Sequence, residues 1–294
     1  MAKINRKLVQ IITLIGTNSY IKGFLEGNIY KGRTKKFCVP GLNCYSCPGS
    51  LGSCPIGSLQ AVIGSMDYYF SFYVLGIIGL FGSLMGRLVC GWLCPFGLIQ
   101  ELIYKIKSKK FRISGKNPLK YLKYGVLLIF VILMPMLVVN QVGIGAPAFC
   151  KYICPAGTLE AGIPLTLLNP PLREAIGFIF SWKVFLLVVT IVASILIYRP
   201  FCRFICPLGA IYGVFNPISL YRLEVAEDKC IKCNKCTRTC KLDIKTYKTP
   251  NSPECIRCGE CIGACPTNAI SSKFGLKHKK AAGGLSSLKK KLTI

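Results

Sequence analysis

The first 220 residues alternate between long apolar runs and loops in which glycine, proline and cysteine recur. Four runs approach the ~20 residues that carry a helix across a bilayer: Leu8 to Leu25, Val62 to Met85, Leu119 to Val139 and Ala175 to Tyr198. The first is broken by Gly16, Asn18 and Lys22. With Lys3, Arg6 and Lys7 ahead of it and no small-residue cleavage site, it reads as a signal-anchor helix; an interfacial amphipathic helix is the competing reading. Asp67, Tyr68 and Tyr69 stand near the start of the second run like an interfacial belt, and Pro135 kinks the third. Over 98–110, Ile99, Leu102, Ile103 and Ile106 recur at helical spacing beside Lys105, Lys107, Lys109 and Lys110, as in an amphipathic helix lying in the interface. After Tyr221 the apolar runs stop. The pattern predicts an all-α transmembrane bundle of about four spans with cysteine-rich loops over 1–220, a small α+β unit over 221–272 and a basic, mobile or lipid-associated tail over 273–294.

Composition supports a membrane setting. Of the 294 residues 52% are hydrophobic, and a mean hydropathy of +0.49 is high for a soluble domain. The charge of +27 raises nucleic-acid binding first. Much of it flanks apolar runs or cysteine loops, where it orients helices, contacts anionic lipid and suits an acidic redox partner, so nucleic acid is set aside. Residues 86–123 hold nine Lys and Arg and 141–173 hold two, which puts the loops at 90–97 and 202–209 and everything after 210 in the cytoplasm. The loops at 44–57 and 150–160 then fall on the opposite face. Lys31, Arg33, Lys35 and Lys36 run against that rule.

Eighteen cysteines at C-x2-C and C-x3-C-P spacing are metal ligands rather than a disulfide framework. A single histidine, His278, and no C-x2-C-H site leave no bis-histidine or c-type haem. Arg87-Leu-Val-Cys90-Gly-Trp-Leu-Cys94-Pro-Phe-Gly97 and Arg199-Pro-Phe-Cys202-Arg-Phe-Ile-Cys206-Pro-Leu-Gly209 are near copies, and C-P-x-G segments also end at Gly57 and Gly157. Cys90, Cys94, Cys202 and Cys206 make one 4Fe-4S set with nothing left over. Of the six cysteines on the other face, Cys47, Cys54, Cys150 and Cys154 are favoured, with Cys44 the substitute if C-x2-C acts as a pair, and Cys38 a bystander or disulfide partner of Cys44. Arg87, Arg199, Arg203 and Lys151 are placed to raise the potentials, lipid-phosphate anchoring being the alternative for the arginines. Trp92 reads as an interfacial anchor.

Cys230-x2-Cys233-x2-Cys236-x3-Cys240 and Cys255-x2-Cys258-x2-Cys261-x3-Cys265-Pro266 repeat the bacterial ferredoxin run, in which the fourth cysteine serves the other cluster. One cluster therefore takes Cys230, Cys233, Cys236 and Cys265, the other Cys255, Cys258, Cys261 and Cys240. Zinc ribbons share the C-x2-C pair but not this doubled register.

Together these motifs resemble the membrane-bound polyferredoxins of the NapH type and the membrane module of the NosR type. The resemblance rests on Cys90, Cys94-Pro95, Cys202, Cys206-Pro207-Leu208-Gly209 and the eight ferredoxin cysteines, and covers most of 60–270. It implies a multi-pass protein of the cytoplasmic membrane with its ferredoxin domain inside. Such a protein passes electrons between a soluble donor, ferredoxin or flavodoxin-like, or the quinol pool, and partner oxidoreductase subunits, by analogy flavin-bearing ones. The segment 38–54 and the Cys150/Cys154 loop depart from simpler members and favour a through-membrane wire over plain quinol oxidation. No acid, base or nucleophile constellation stands out, as befits an electron-transfer subunit. A thiol–disulfide reductant exporter using the outer cysteines and a cysteine-rich metal-binding or redox-sensing membrane protein are the competing functions.

Overall fold

The computed structural model describes residues 5–65, 68–113, 117–139 and 145–275; Asp67, His278 and the tail beyond Gly275 lie outside them. The chain opens with two short helices, α1 (Arg6–Thr17) and α2 (Ile21–Glu26). The Asn5 side chain caps α1 at the Lys7 amide, and Gly27 at φ 66° ends α2 in the left-handed conformation that favours glycine. Leu8 to Leu25 is therefore not a crossing. Helix α1 turns its polar side inward, Gln10 Nε2 donating to the Gly91 carbonyl at 2.9 Å and Arg6 to Glu101 at 2.8 Å, and leaves Leu8, Ile12 and Ile15 exposed.

A loop then carries Cys38 to Cys54 into the core. From Cys54 the chain enters α3 (Pro55–Ser65), α4 (Tyr68–Met85), α5 (Leu88–Trp92) and α6 (Pro95–Ile103). After an irregular stretch come α7 (Pro118–Leu137), α8 (Ala148–Tyr152), α9 over 155–168, α10 (Pro170–Glu174), α11 (Phe178–Leu196), α12 (Pro200–Phe204) and α13 (Pro207–Phe215).

The expected bundle of about four spans is not what forms. Among the described residues only α7 and α11 are long and apolar enough to cross a membrane. Val62 to Met85 fails as one span because the run is shared between two helices that fold back on each other. Helix α13 shows this, since Tyr212 lies near Cys54, before α3, while Phe215 packs on Gly82 near the end of α4. The stripe expected over 98–110 is also cut short: α6 stops at Ile103, buries Phe96, Leu98, Gln100 and Glu101, and exposes Leu102. Pro135 does not break α7, because the missing N–H is absorbed in a π-helical stretch over Leu127–Leu133.

The carboxy-terminal unit is a two-stranded antiparallel sheet, β1 (Tyr221–Val225) on β2 (Ile270–Phe274), registered from Tyr221↔Phe274 to Val225↔Ile270. Two single-turn helices, α14 (Lys235–Thr239) and α15 (Glu260–Gly263), each carry the third cysteine of a ferredoxin run.

Candidate functional site

Each of the four C-P-x-G segments starts a helix. At Cys94, Cys154 and Cys206 the second cysteine of a motif is the N-cap residue and the proline takes the first helical position, where its missing N–H costs nothing. Proline therefore begins the next helix rather than merely ending the last. The positive ends of α3, α6, α9 and α13 converge on thiols, with backbone donors from Gly157 to Cys154 Sγ and Gly209 to Cys206 Sγ, both at 3.4 Å.

The inner set assembles from both halves of the chain. Cys90, Cys94, Cys202 and Cys206 are buried and mutually close, and Cys90, Cys94 and Cys206 each feel the charge of others in the set. Burial raises the thiols of Cys90, Cys94 and Cys206 above their ordinary range. The two arginines are exchanged between the copies. Arg87 Nη2 donates to the Cys202 carbonyl at 3.1 Å and lies where a side chain on Gly209 would stand. Arg199 Nη1 donates to the Cys90 carbonyl at 2.5 Å and occupies the same place over Gly97. Both arginines are 1% exposed and bound to protein, not to lipid phosphate. Phe96 and Phe201 stack edge-on at 5.3 Å between the halves.

In the outer set the structure brings Cys44, rather than Cys47, to Cys54, Cys150 and Cys154. A side chain on Gly57 would meet Cys150 Sγ at 3.8 Å, and one on Gly157 would meet Cys44 Sγ at 3.7 Å and Cys154 Sγ at 3.9 Å. Burial pushes the thiols of Cys44, Cys54 and Cys150 up to about 12. Cys47 is tied instead to the amides of Gly49 and Ser50, and Cys38 hydrogen-bonds Ser58. Lys151 is exposed over the Tyr152 ring, 5.3 Å from its centroid; Lys183 stands near the set instead.

One class of residue escaped the motif reading. Six positions after the second cysteine of each motif the chain places Gln60, Gln100, Glu160 and Tyr212, polar groups in otherwise apolar helices. Three of them reach the first cysteine of the opposing motif. Gln60 Nε2 donates to Cys150 Sγ at 3.2 Å and Gln100 Nε2 to Cys202 Sγ at 3.0 Å. Glu160 accepts from the Cys44 amide at 2.6 Å, whereas the buried Tyr212 stands in the neighbourhood of Cys90 and Cys94 without bonding either thiol. Burial pushes the Glu160 carboxyl up to about 7, against the pull of that amide. A fixed polar position in a four-fold repeat was the available signal.

The ferredoxin unit brings its cysteines together in two sets. Cys230, Cys233, Cys236 and Cys265 line one depression. Cys240, Cys255, Cys258 and Cys261 are grouped by their mutual charges, which with burial raise Cys261 to about 12. The second group sits on the helical module. Trp92, expected as a belt residue, donates to the Arg257 carbonyl at 3.1 Å, and Gly91 leaves no room for a side chain against the Ile256 carbonyl. Glu254 is clamped between Arg87 at 3.0 Å and Lys123 at 2.5 Å. Arg257 reaches back to the Met85 carbonyl at 2.9 Å. Arg203 donates to Leu242 and Ile113, nearer Cys240 than the inner set.

The residues fit 4Fe-4S cubanes. Each set offers four thiols and no histidine, the glycines leave room at the sulfurs, and Arg87 and Arg199 keep buried, unpartnered Nε donors beside the inner thiols. All eighteen cysteines are free. Among the described residues no three Cys, Asp or Glu groups close on one metal ion, whereas four irons bound one per thiolate ask for a wider set.

Comparison with known proteins agrees. Models described as 4Fe-4S binding domains match residues 66–114, 124–163 and 178–221 and, separately, 250–271. An uncharacterized protein of Methanocaldococcus jannaschii is 30% identical over 213 residues, 70% of this chain and 79% of that one. The ferredoxin-type protein NapH of Haemophilus influenzae is 25% identical over 219 residues, 69% of this chain and 68% of its own. The regulatory protein NosR of Stutzerimonas stutzeri is 28% identical over 218 residues, 67% of this chain and 27% of its own. No solved structure matches.

Proposed function

We propose, from the premise that the chain belongs to the family of 4Fe-4S binding, ferredoxin-type electron-transfer proteins, that it conducts electrons through four cubanes in series as a membrane subunit of a larger oxidoreductase. Cubanes take up and release single electrons; the chain fixes where they stand. The order runs from Cys230/233/236/265, through Cys240/255/258/261 and Cys90/94/202/206, to Cys44/54/150/154.

The observation that carries this reading is the continuity of the contacts. Gly91, next to Cys90, rests on the backbone of Ile256 beside Cys255. Gly41, from the outer loop, comes so close to Cys94 that a side chain there would stand 2.9 Å from its Cα. Cysteines of the inner and outer sets share one buried cluster with Ile56, Phe96, Phe149, Phe201 and Leu208. No gap of membrane thickness separates neighbouring sets.

The first set faces solvent, with Cys233 exposed among Lys229, Lys232, Lys235 and Arg238. Such a face suits an acidic soluble donor, whose reaction should slow steeply with salt. Lipid contact is supported by α7 and α11, only 22% and 17% of whose apolar windows is buried. A helix of a soluble core would bury far more.

Iron analysis and EPR on the anaerobically purified protein test the proposal. About sixteen irons per chain are expected, four per cubane. A count near eight, with the ferredoxin signals alone, would refute it.

A further inference from the structure

A cavity of about 1100 Å³ opens onto the outer cysteine set. Its wall includes the thiols of Cys44, Cys54 and Cys150 and five cations, Lys31, Arg33, Lys35, Lys36 and Lys183, with no aspartate or glutamate. Among the described residues none of the five pairs with a carboxylate. Four of them, Lys31, Arg33, Lys35 and Lys36, come from the segment just ahead of Cys38.

Charge and size both ask for an occupant. A cubane with four thiolates carries roughly −2, which leaves about three positive charges in the wall unanswered. Ligand pockets run to roughly 300–1,000 Å³, so the cavity has room for a cubane and a second group of nucleotide size. Gly57 and Gly157, in the first turns of α3 and α9, add two helix N-termini to the wall. Lys35 is already engaged, donating to the Ser50 carbonyl at 2.7 Å, and lies over the Tyr45 ring. Lys31, Arg33, Lys36 and Lys183 remain for a ligand.

We infer that this cavity binds a phosphate-bearing small molecule of nucleotide size, seated against the outer cysteine set and held by Lys31, Arg33, Lys36 and Lys183. The inference rests on reading that set as a cluster site for the ligand's placement, but not for its charge.

Equilibrium dialysis of the full-length, cluster-loaded protein in neutral detergent, with flavin mononucleotide as probe, tests it. One equivalent should bind. Arg33→Gln, Lys36→Gln and Lys183→Met should each weaken it about tenfold, as loss of a charge-assisted contact does, with iron content unchanged as the check on folding. The EPR signal of one cluster should shift on binding. Displacement by inorganic phosphate would assign recognition to the phosphate; displacement by phosphatidylglycerol but not phosphatidylcholine would assign the site to a lipid headgroup of the same chemistry. A full iron complement with no binding of nucleotide, phosphate or anionic lipid overturns the inference alone, as does undiminished binding in a variant that carries all three substitutions. Binding retained on protein that lacks the outer cluster counts instead against the cluster reading and leaves the anion site standing.

Discussion

The phenol of Tyr212, on the helix that begins at Cys206, donates to the carbonyl of Pro40 at 3.0 Å. Pro40 belongs to the loop that carries Cys38 and Cys44. Tyr212 is fully buried and lies near the thiols of Cys90, Cys94 and Cys54. One side chain thus ties the two helical cysteine sets together and holds the outer loop down against Cys94. Opposite membrane faces, roughly 30 Å apart, would make transfer between these sets too slow. The loop's descent into the core removes that obstacle.

Removing this tie should slow transfer without emptying either site. Tyr212→Phe keeps the ring and loses one hydrogen bond, about 0.5–1.5 kcal/mol. We expect unchanged iron content and slower reduction of the outermost cluster in freeze-quench EPR after dithionite. Reoxidation of the ferredoxin clusters by an added acceptor should be unaffected. If all four signals appear at wild-type rate, Tyr212 has no part in coupling the sets.

Cys44 and Cys47 are separated by only two residues, and iron content should tell them apart. Cys44→Ser is expected to lower the count from about sixteen to about twelve, four irons being one cubane; Cys47→Ser should leave it near sixteen. The reverse result would restore Cys47 as the ligand in place of Cys44.

That choice marks where the sequence stopped being legible. Doubled spacing brings out the ferredoxin sets, and the repeated R-x2-C-x3-C-P-x-G the inner set, because each ligand there is local to a short motif. Cys44 lies ten positions before Cys54, and only the loop's path decides which thiol faces Gly157. The span count went astray for a related reason. Hydropathy measures the length of an apolar run, yet α3 and α4 divide one run between them, with a proline-capped start at Cys54 that hydropathy does not register. The exchange of Arg87 and Arg199 was written in their common place three residues before a cysteine, but its crosswise geometry needs both halves in hand.

Gln100 offers a graded test of tuning. Its amide donates to Cys202 Sγ at 3.0 Å, and donors to sulfur stabilise the added electron. Gln100→Leu keeps the volume and removes the donor. One hydrogen bond of about 0.5–1.5 kcal/mol, at about 59 mV per tenfold for one electron, corresponds to a potential lower by roughly 20–65 mV. Redox-poised EPR should show that shift in one cluster while the other three hold. Equal shifts in several clusters would mean that the helix, not the donor, had changed.

Docking of the ferredoxin unit depends on Glu254, and its pH behaviour follows from its neighbours. Burial pushes the carboxyl up, but the charges of Arg87 and Lys123 outweigh burial and hold it below the ordinary carboxylate range. For a depressed acid the stabilisation is fully present above the unfolded value, about 4.3 for glutamate, and is lost only as pH falls through the lower folded value. Between pH 7 and 5 the dock should therefore be insensitive to pH. Glu254→Gln leaves two buried cations unpaired, at a cost of about 3–5 kcal/mol. Hydrogen exchange at the amides of Ile256 to Cys258 reads this directly, once corrected for intrinsic rates. Protection should be flat with pH in the wild-type protein and lower in the variant at every pH. Wild-type protection that already falls between pH 7 and 5 would show that another group, with a higher pKa, controls the interface.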